Sequence, residues 1–470
     1  MDKKITRRDM LRASLSAAAC ASLPSMASAS NKKPNIVVIV IDDMGWNDVS
    51  CNGSKYYETP NVDKLAAEGM RFTDGYAACP VCSPTRASIM TGKYPARLHL
   101  TNFLYGTRKR TDSTILPVDY EHQLPLEEVT LAEGLKSAGY KTCHIGKWHL
   151  GGKGFFPEDQ GFDINIGGCY SGMPRSFFWP KWGKNPPIEG RKENEYLPDR
   201  LGDEAAAFID ANHQNPFFLY LAHYAVHIPL EAKQAMIDKY KDKPAWNGQN
   251  NPIYAAMVES IDLSVGKVMQ ALKQNGVDDN TIVVFTSDNG GLSVQEGSNT
   301  PATCNTPLRG GKGHLYEGGI RVPWVVKWPG VVKPSEVCHD AVSTVDLFPT
   351  LLHAAGVDKP KTNGVIDGED IFPLLSSKGK LERDAIYWHY PHFANQKGRP
   401  GGVMRQDDFK LIERYEDGTL ELYNLKEDIS EKKNIAMQHP RKAKVMQKQL
   451  HKWLKSVDAT MCPANPNFPG

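Results

Sequence analysis

The chain has 470 residues, of which 40% are apolar and 23% are charged, with 9 cysteines and a formal net charge of +2. This length buries a large core without disulfide staples, and it allows two domains or one large domain with an appendage. Glycine without a period, balanced charge and few cysteines exclude collagen-like, disordered and small disulfide-framework proteins. The balanced charge also gives no reason to expect a nucleic-acid partner.

Residues 1–29 have the pattern of an export signal. A basic start that contains Arg7 and Arg8 leads into a weakly apolar stretch with an A-x-A end, which is the order of a secretory signal. The paired arginines favour the twin-arginine export machinery as a partner over an ordinary secretory route. Loss of this segment removes five basic and two acidic residues, which turns the charge of +2 into −1. We predict a periplasmic or secreted protein without a transmembrane span; lipidation at Cys20 is an alternative whose preceding residues match poorly.

Short apolar runs predict the strands of a central sheet. Residues 35–41 form a continuous β-branched run, typical of a strand that is buried on both faces in a parallel sheet. Similar runs recur at residues 217–222, 281–286 and 322–326. They predict that residues 30–375 form an α/β domain with a mostly parallel sheet.

Helical patterns lie between these runs. Thr130 and Glu133 form a capping box that opens a helix, which Gly139 closes. Residues 255–275 carry apolar side chains at helical spacing. Helices that alternate with strands are expected to flank the sheet on its faces.

The pattern changes near residue 375. Residues 376–470 predict a smaller C-terminal α+β subdomain with an antiparallel sheet, whose strands are expected at residues 385–389, 403–414 and 420–425. A final helix follows, with an apolar stripe that we interpret as a packing face.

Two of the predicted strands end in acidic clusters. Asp42 and Asp43 follow the first strand, and Asp288 and Asn289 follow another. Neighbouring carboxylates at strand ends repel one another unless a cation neutralises them. Carboxylate and amide oxygens suit Ca²⁺ or Mg²⁺ and offer little that zinc prefers. The alternative is helix capping by Asp43 and a turn at Asp288.

Cys82 has the position of a reactive thiol. Pro84 suits a first helical turn, so Cys82 is expected at a helix N-terminus, where the backbone favours an anion. We expect a thiol there to be acidified. The alternative is a buried structural cysteine beside a helix start.

Residues 82–97, CSPTRASIMTGKYPAR, resemble the signature of the formylglycine-dependent type I sulfatases of the alkaline-phosphatase-like superfamily. That signature is Cys or Ser, any residue, Pro, any residue and Arg, before a segment that ends in Thr-Gly. The resemblance covers most of residues 34–430 and includes the order of the acidic clusters. It implies that a formylglycine-generating maturation enzyme converts Cys82 to formylglycine, whose hydrated aldehyde is the nucleophile.

The resemblance also implies a ligand set for one metal ion. Asp42, Asp43, Asp288 and Asn289 match the family's Ca²⁺ ligands, with the modified Cys82 as a further ligand. Related two-metal phosphatases have His where this chain has Asn289. This departure favours one hard cation over a dinuclear zinc site.

Five further residues match the catalytic residues of the family. Arg86 matches the arginine that holds the formylglycine hydroxyls, and Lys147 and His149 match the pair that contacts the nucleophile and sulfate. His227 and Lys312 match the residues near the leaving oxygen. Such a set concentrates positive charge where a sulfate ester develops negative charge, and it supplies proton donors and acceptors.

The substrate is less closely defined by the sequence. Exported bacterial members of this family commonly desulfate polysaccharides, which implies a sulfated carbohydrate, with a galactose-type 4-O-sulfate as the specific hypothesis. Predicted substrate contacts are Arg175, His314, His389 and His392. Surface charge or packing is the alternative explanation for each.

Two other functions stay open at this point. A formylglycine-dependent phosphonate or phosphodiester hydrolase shares the Cys/Pro/Arg signature. If Cys82 is never converted, the chain is instead a non-catalytic protein that binds sulfated glycans.

Overall fold

An eight-stranded sheet forms the centre of the structure, a computed structural model that describes residues 33–106, 112–357 and 361–468. Its strands are β1 (Asn35–Ile41), β2 (Met70–Phe72), β4 (Lys141–Gly146), β5 (Ile164–Ile166), β6 (Phe217–Ala222), β7 (Thr281–Ser287), β8 (Trp324–Lys327) and β9 (Glu336–Cys338). They lie in the order β5-β4-β6-β1-β7-β8-β2-β9. All pairs are parallel except those that β8 makes with β7 and β2. The prediction of a mostly parallel central sheet is therefore confirmed.

The predicted export segment, with Arg7, Arg8 and Cys20, lies outside the described residues. From Lys33 onward the chain is one compact unit, so a domain boundary at residue 375 stays a prediction. A small parallel pair, β3 (Gly75–Tyr76) with β10 (Val342–Ser343), lies outside the large sheet.

β1 has hydrophobic cores on both sides, as its continuous apolar run predicts. Successive side chains of a strand point to opposite faces of the sheet. One core contains Val37, Ile39 and Ile41, and the other contains Ile36, Val38 and Val40. Because both faces are covered by helices, every residue of β1 is buried.

Helices cover both faces of the sheet. Packed into the first core are α1 (Pro60–Ala67), α4 (Leu197–Asn212), α5 (Gln234–Tyr240) and α6 (Pro252–Gln274). Packed into the second are α2 (Cys82–Thr91), α3 (Leu131–Ser137), α8 (Leu347–Ala354) and the short α9 (Phe372–Leu375). The capping box of α3 is present, since Thr130 Oγ1 accepts from Glu133 N at 3.1 Å and Glu133 Oε2 accepts from Thr130 N at 2.7 Å.

A second, antiparallel sheet follows near the C-terminus. It consists of β11 (Ile386–Tyr390), β12 (Gly401–Gln406), β13 (Phe409–Arg414) and β14 (Leu420–Asn424) in chain order. The prediction of one strand over residues 403–414 is wrong, because Asp407 has a left-handed backbone (φ 51°) and turns the chain between two strands. The four strands and the final helix, α10 (Pro440–Ser456), otherwise match the predicted antiparallel sheet and terminal helix.

The two faces of this small sheet have different partners. Trp388, Val403 and Ile412 pack with Tyr76 and Val81, which precede α2. The opposite face packs against the apolar stripe of α10, which includes Met446, Leu450 and Leu454. The interpretation of that stripe as a packing face is therefore confirmed.

None of the helices in the described part of the chain has both the length and the apolarity that a membrane crossing needs. The eight described cysteines are all free thiols.

Several histidines are buried in the core without an acidic partner. Burial lowers the pKa of His223 to about 3, and its Nε2 lies 3.0 Å from Ser264 Oγ. Burial also lowers the pKa of His144 and His392 to about 3 and that of His389 to about 4. Below pH 6.5 these histidines bind protons in the unfolded chain but stay neutral in the native protein. The free energy of unfolding therefore decreases as the pH decreases.

We predict that His223→Gln makes the protein less sensitive to acid. Between pH 6.5 and pH 4.5, each such histidine removes at most about 1.4 kcal/mol of unfolding free energy per pH unit. Urea denaturation across this range should therefore give a smaller pH slope for H223Q than for the unmodified protein. The exposed His439 supplies a control, since H439Q should leave the slope unchanged. Equal slopes for H223Q and the unmodified protein would contradict the prediction.

Candidate active site

The acidic clusters meet because their strands are neighbours. β1 and β7 pair in parallel with Ile41 opposite Ser287, so the two following segments leave the sheet at one edge. The backbone N–H of Asp43 donates to Asp288 Oδ1 at 3.2 Å, and Asn289 Nδ2 donates to Asp43 Oδ1 at 2.8 Å. This edge lies at the carboxyl ends of the strands, where α/β folds bind ligands.

Residues that were not predicted hold the acidic loop in shape. Asp43 has a left-handed backbone with φ 60°, which a non-glycine residue adopts only when its surroundings enforce it. The Tyr254 hydroxyl lies 3.3 Å from the Asp43 carbonyl oxygen and 2.6 Å from Asp48 Oδ2. Asp48 is fully buried, and its carboxylate also accepts from the backbone N–H of Gly45. In the sequence, the nearby Asp42 and Asp43 are only a weak signal that Asp48 supports the loop. No sequence signal indicates such a role for Tyr254.

Two predicted basic residues pair with these acids. Lys147 Nζ lies 2.7 Å from Asp42 Oδ2, and Arg86 Nε donates to Asp288 Oδ2 at 2.9 Å. Arg86 Nη1 also donates to the Lys147 carbonyl oxygen at 2.9 Å, which ties α2 to the loop after β4. All of these side chains are buried, so their charges act through a medium that screens them weakly.

Burial affects the two neighbouring aspartates differently. Burial raises the pKa of Asp42 well above its ordinary value, although Lys147 opposes this effect. Burial acts in the same direction on Asp43, but Lys312, His227 and Lys147 outweigh it and hold that pKa below its ordinary value. Of these two aspartates, Asp42 is therefore the one whose ionised form a further positive charge would stabilise more.

The residues present fit a hard divalent cation. Asp42 Oδ1 and Asn289 Oδ1 are buried oxygens without a hydrogen-bond partner. Ligand atoms of Asp42, Asp43 and His227 also lie within 4.8 Å of one another. Unpaired buried oxygens of this kind carry a desolvation cost that a bound cation removes, and their chemistry suits Ca²⁺ or Mg²⁺. His227 was not among the predicted ligands.

Cys82 is the first residue of α2, as predicted, and is buried. Its Sγ lies 3.4 Å from His149 Nδ1. The expected acidification of the thiol is wrong: burial raises the pKa of Cys82, Lys147 opposes this, and Asp42 and Asp288 add to it. The helix start does not offset the loss of solvent and the nearby carboxylates.

His149 is held beside this thiol in an unusual conformation. Its backbone is left-handed with φ 56°, and its N–H donates to the Cys169 carbonyl oxygen at 3.1 Å. Burial lowers the pKa of His149 well below its ordinary value, and Lys147 and Arg86 act in the same direction. The ring is therefore neutral, so one of its nitrogens is a hydrogen-bond acceptor, while burial and the nearby cations disfavour the protonated form.

His227 and Lys312 form a directed hydrogen bond. His227 Nδ1 lies 2.9 Å from the Ile228 carbonyl oxygen, which only accepts, so Nδ1 carries the ring proton. Lys312 Nζ lies 2.8 Å from His227 Nε2 and 2.8 Å from Asp43 Oδ2. Lys312 therefore donates to both the imidazole and the carboxylate.

The predicted substrate contacts lie in different surroundings. Arg175 is exposed, whereas His314 is half-buried and its Nε2 lies 2.8 Å from the Gln396 carbonyl oxygen. Both remain predictions as sugar contacts.

The two histidines of the C-terminal region are buried. His389 uses both ring nitrogens inside the protein, with Nδ1 2.7 Å from Tyr415 Oη and Nε2 3.0 Å from the Thr460 carbonyl oxygen. His392 Nε2 lies 2.8 Å from Thr101 Oγ1. A substrate role for either histidine stays a prediction, and the contacts of His389 support packing and structure.

Comparison with known protein families identifies the family to which this arrangement of residues belongs. The model described as "Sulfatase" matches residues 34–357, which contain the acidic cluster, Cys82 and the predicted catalytic residues. The chain belongs to the sulfatase family. It is therefore a sulfuric ester hydrolase, and its family typically uses a formylglycine and a metal ion.

The similarity of this sulfatase extends beyond the α/β domain. The family model described as "N-sulphoglucosamine sulphohydrolase, C-terminal" matches residues 311–460. A sulfatase of Formosa agariphila is 33% identical over 90% of this chain and 89% of its own length. The mouse N-acetylgalactosamine-6-sulfatase is 36% identical over 78% of this chain and 71% of its own length.

A solved structure is similar to this sulfatase over nearly its whole length. It is the crystal structure of Ps i-CgsB in complex with k-i-k-neocarrahexaose, with 31% identity and a TM-score of 0.76. The match covers 93% of this chain and 95% of the other.

Proposed function

We propose that this sulfatase hydrolyses sulfate esters of a carbohydrate, at a galactose-type 4-O-sulfate, with a formylglycine made from Cys82 and one Ca²⁺. The observation that carries the proposal is the position of Cys82, which is buried at a helix start with its Sγ 3.4 Å from His149 Nδ1. Similarity to a sulfatase solved with a neocarrahexaose and to an N-acetylgalactosamine-6-sulfatase supports a sugar of galactose type.

The proposed metal ligands are Asp42, Asp43, Asp288 and Asn289, with the modified side chain at position 82. Support comes from the two unpaired buried oxygens, Asp42 Oδ1 and Asn289 Oδ1. When bound, Ca²⁺ supplies positive charge that counters the acidic cluster and the sulfate oxygens.

Formylglycine supplies an oxygen nucleophile and a second hydroxyl that releases sulfate. Arg86 and Lys147 hold the groups around position 82 in place, since their side chains bind Asp288 and Asp42. His149 Nδ1 lies 3.4 Å from Cys82 Sγ. From this position it accepts a proton from the modified side chain at position 82.

His227 and Lys312 act at the leaving oxygen. A sugar alcohol is a poor leaving group unless it receives a proton as the ester bond breaks. His227 Nε2 accepts from the Lys312 ammonium and carries no proton of its own, so the proton for the leaving oxygen comes from Lys312, which becomes a neutral amine. Lys312 also stabilises the negative charge that develops on the oxygen.

The paired arginines at positions 7 and 8 support export by the twin-arginine machinery to the periplasm or beyond. We propose that the maturation enzyme modifies Cys82 in the cytoplasm, because this route carries folded proteins and Cys82 is buried after folding. Unchanged conversion of Cys82 behind a signal that exports unfolded chain would contradict the cytoplasmic step.

Two measurements on protein from its native source test the function. Mass analysis of the Cys82 peptide should show the exchange of the thiol sulfur and two hydrogens for one oxygen; an unmodified thiol would indicate a glycan-binding protein. Turnover of matched sulfate esters, phosphodiesters and phosphonates should be fastest for sulfate esters. Sulfated galacto-configured sugars should release sulfate, and NMR of the product identifies the ring position from which it was lost. Faster hydrolysis of phosphonates or phosphodiesters would reject the proposal.

A further inference from the structure

A loop after β5 packs directly against His149. His149 N–H donates to the carbonyl oxygen of Cys169, at the start of this loop. Gly172 lies against the His149 ring so closely that a Cβ atom at position 172 would overlap with the imidazole. Residues 169–175, defined here as the wall loop, therefore touch a residue that lies 3.4 Å from Cys82 Sγ.

The wall loop is fastened at its middle and at its end. Asn185 Nδ2 donates to Ser171 Oγ at 2.8 Å and to the Met173 carbonyl oxygen at 3.2 Å. Directly after the loop, Ser176 Oγ donates to Glu231 Oε2 at 2.6 Å. These contacts hold the loop backbone in one conformation, so the side chains it exposes are presented from a fixed support.

Three of its large side chains face solvent. Tyr170 is 54% exposed and Met173 is 46% exposed, although both have large apolar surfaces. Arg175 is exposed, and within residues 33–106, 112–357 and 361–468 no ion pair to its guanidinium is found. An aromatic ring, a thioether and a cation without an ion pair among the described residues are thus exposed on one short loop that touches His149.

Two exposed lysines lie near the loop, while Glu231 is the carboxylate that binds Ser176 directly after it. Lys153 follows Gly152, which faces the Cβ atom of Tyr170, and Lys184 precedes the fastening residue Asn185. Both lysines are exposed, and neither has an ion pair among the described residues. With Arg175, they make this loop attractive to an anionic ligand.

We propose that Tyr170 and Arg175 form a subsite for a second, anionic sugar unit next to the one that loses sulfate. This inference rests on the proposed carbohydrate function and adds the substrate chemistry: an oligosaccharide with a sulfate or carboxylate on the neighbouring unit. The flat ring of Tyr170 offers an apolar surface for the C–H face of a sugar. The Arg175 guanidinium matches the two oxygens of a sulfate or carboxylate.

Matched substrates separate this subsite from the reaction centre. The probes are a galactan tetrasaccharide sulfated on every unit, the same tetrasaccharide sulfated only on the reacting unit, and 4-nitrophenyl sulfate. For Tyr170→Ala, the kcat/KM ratio of either tetrasaccharide to 4-nitrophenyl sulfate should fall about five- to tenfold. For Arg175→Gln, this ratio should fall by a similar factor only for the fully sulfated tetrasaccharide.

Two control variants and one binding measurement complete the test. Tyr170→Phe keeps the ring, and Phe468→Ala removes another exposed aromatic, 37% exposed, so both should keep the ratio of the unmodified protein. Calorimetric titration of the fully sulfated tetrasaccharide into Cys82→Ala protein should show weaker binding when Tyr170→Ala is added. Thermal unfolding verifies that each variant is folded.

Each outcome has a defined meaning. Unchanged ratios and unchanged binding would overturn the subsite, and an equal loss of kcat/KM on all three probes would assign Tyr170 and Arg175 a structural role instead. If the unmodified enzyme hydrolyses 4-nitrophenyl sulfate but no sulfated saccharide, the proposed carbohydrate function itself fails and the subsite fails with it.

Discussion

Replacement of Cys82 by alanine is expected to lower sulfate release by on the order of 10⁴-fold or more, because the side chain at this position supplies the attacking oxygen. Initial rates on a sulfated saccharide and on 4-nitrophenyl sulfate should fall together, since both need the same nucleophile. The fold should change little: alanine is smaller than cysteine, and α2 is held by Arg86 and by the buried core.

Cys79 is a matched control for this prediction. It is a buried thiol three residues before Cys82 and has no predicted role in the reaction. Cys79→Ala should retain most of the sulfate release of the unmodified protein, after correction for any loss of folded protein. Retention of sulfatase activity by C82A, in a preparation free of other sulfatases, would rule out Cys82 as the nucleophile position.

Replacement of Lys312 by methionine is expected to lower kcat/KM on a sugar sulfate by about 10²- to 10³-fold. The ammonium contacts both His227 and Asp43, so its loss removes a donor at the leaving oxygen and leaves a buried carboxylate without its nearest cation. An aryl sulfate with an acidic phenol needs less protonation as it leaves. Its kcat/KM should therefore fall by a smaller factor, which steady-state kinetics on both substrates will show.

Lys333 is exposed and provides the control, because Lys333→Met removes the same charge away from the site. This variant should keep the kcat/KM of the unmodified protein on both substrates. If Lys312→Met lowers kcat/KM by equal factors on the sugar sulfate and the aryl sulfate, Lys312 contributes charge or stability but does not assist the leaving oxygen.

Local patterns in the sequence were sufficient for much of the fold. The β-branched run of β1, the capping box of α3 and the apolar stripe of α10 each determine an element from fewer than about twenty neighbouring residues, because strand burial, helix capping and amphipathicity are local properties. The same locality explains the error at residues 403–414. The prediction extended one strand across Asp407, whose left-handed backbone turns the chain and divides the segment into two strands.

In the candidate site, too, some features follow from local sequence and others depend on distant segments. Residues 82–97 and the two acidic strand ends were sufficient to predict which side chains meet at one edge of the sheet, since a motif and a strand end are both visible along the chain. The sequence did not predict the supporting contacts of Tyr254 with Asp43 and Asp48, because they join segments more than two hundred residues apart.

What the sequence by itself determined is an α/β protein whose residues match a family's nucleophile, metal ligands and catalytic pairs. Only the tertiary structure decided how deeply those side chains are buried and which hydrogen-bond partners they have. It buried the Cys82 thiol so that its pKa rises, and it directed Lys312 toward His227. It also engaged both nitrogens of His389 inside the protein. The physical reason is that burial and hydrogen-bond partners depend on distant segments that meet only when the sheet and helices pack.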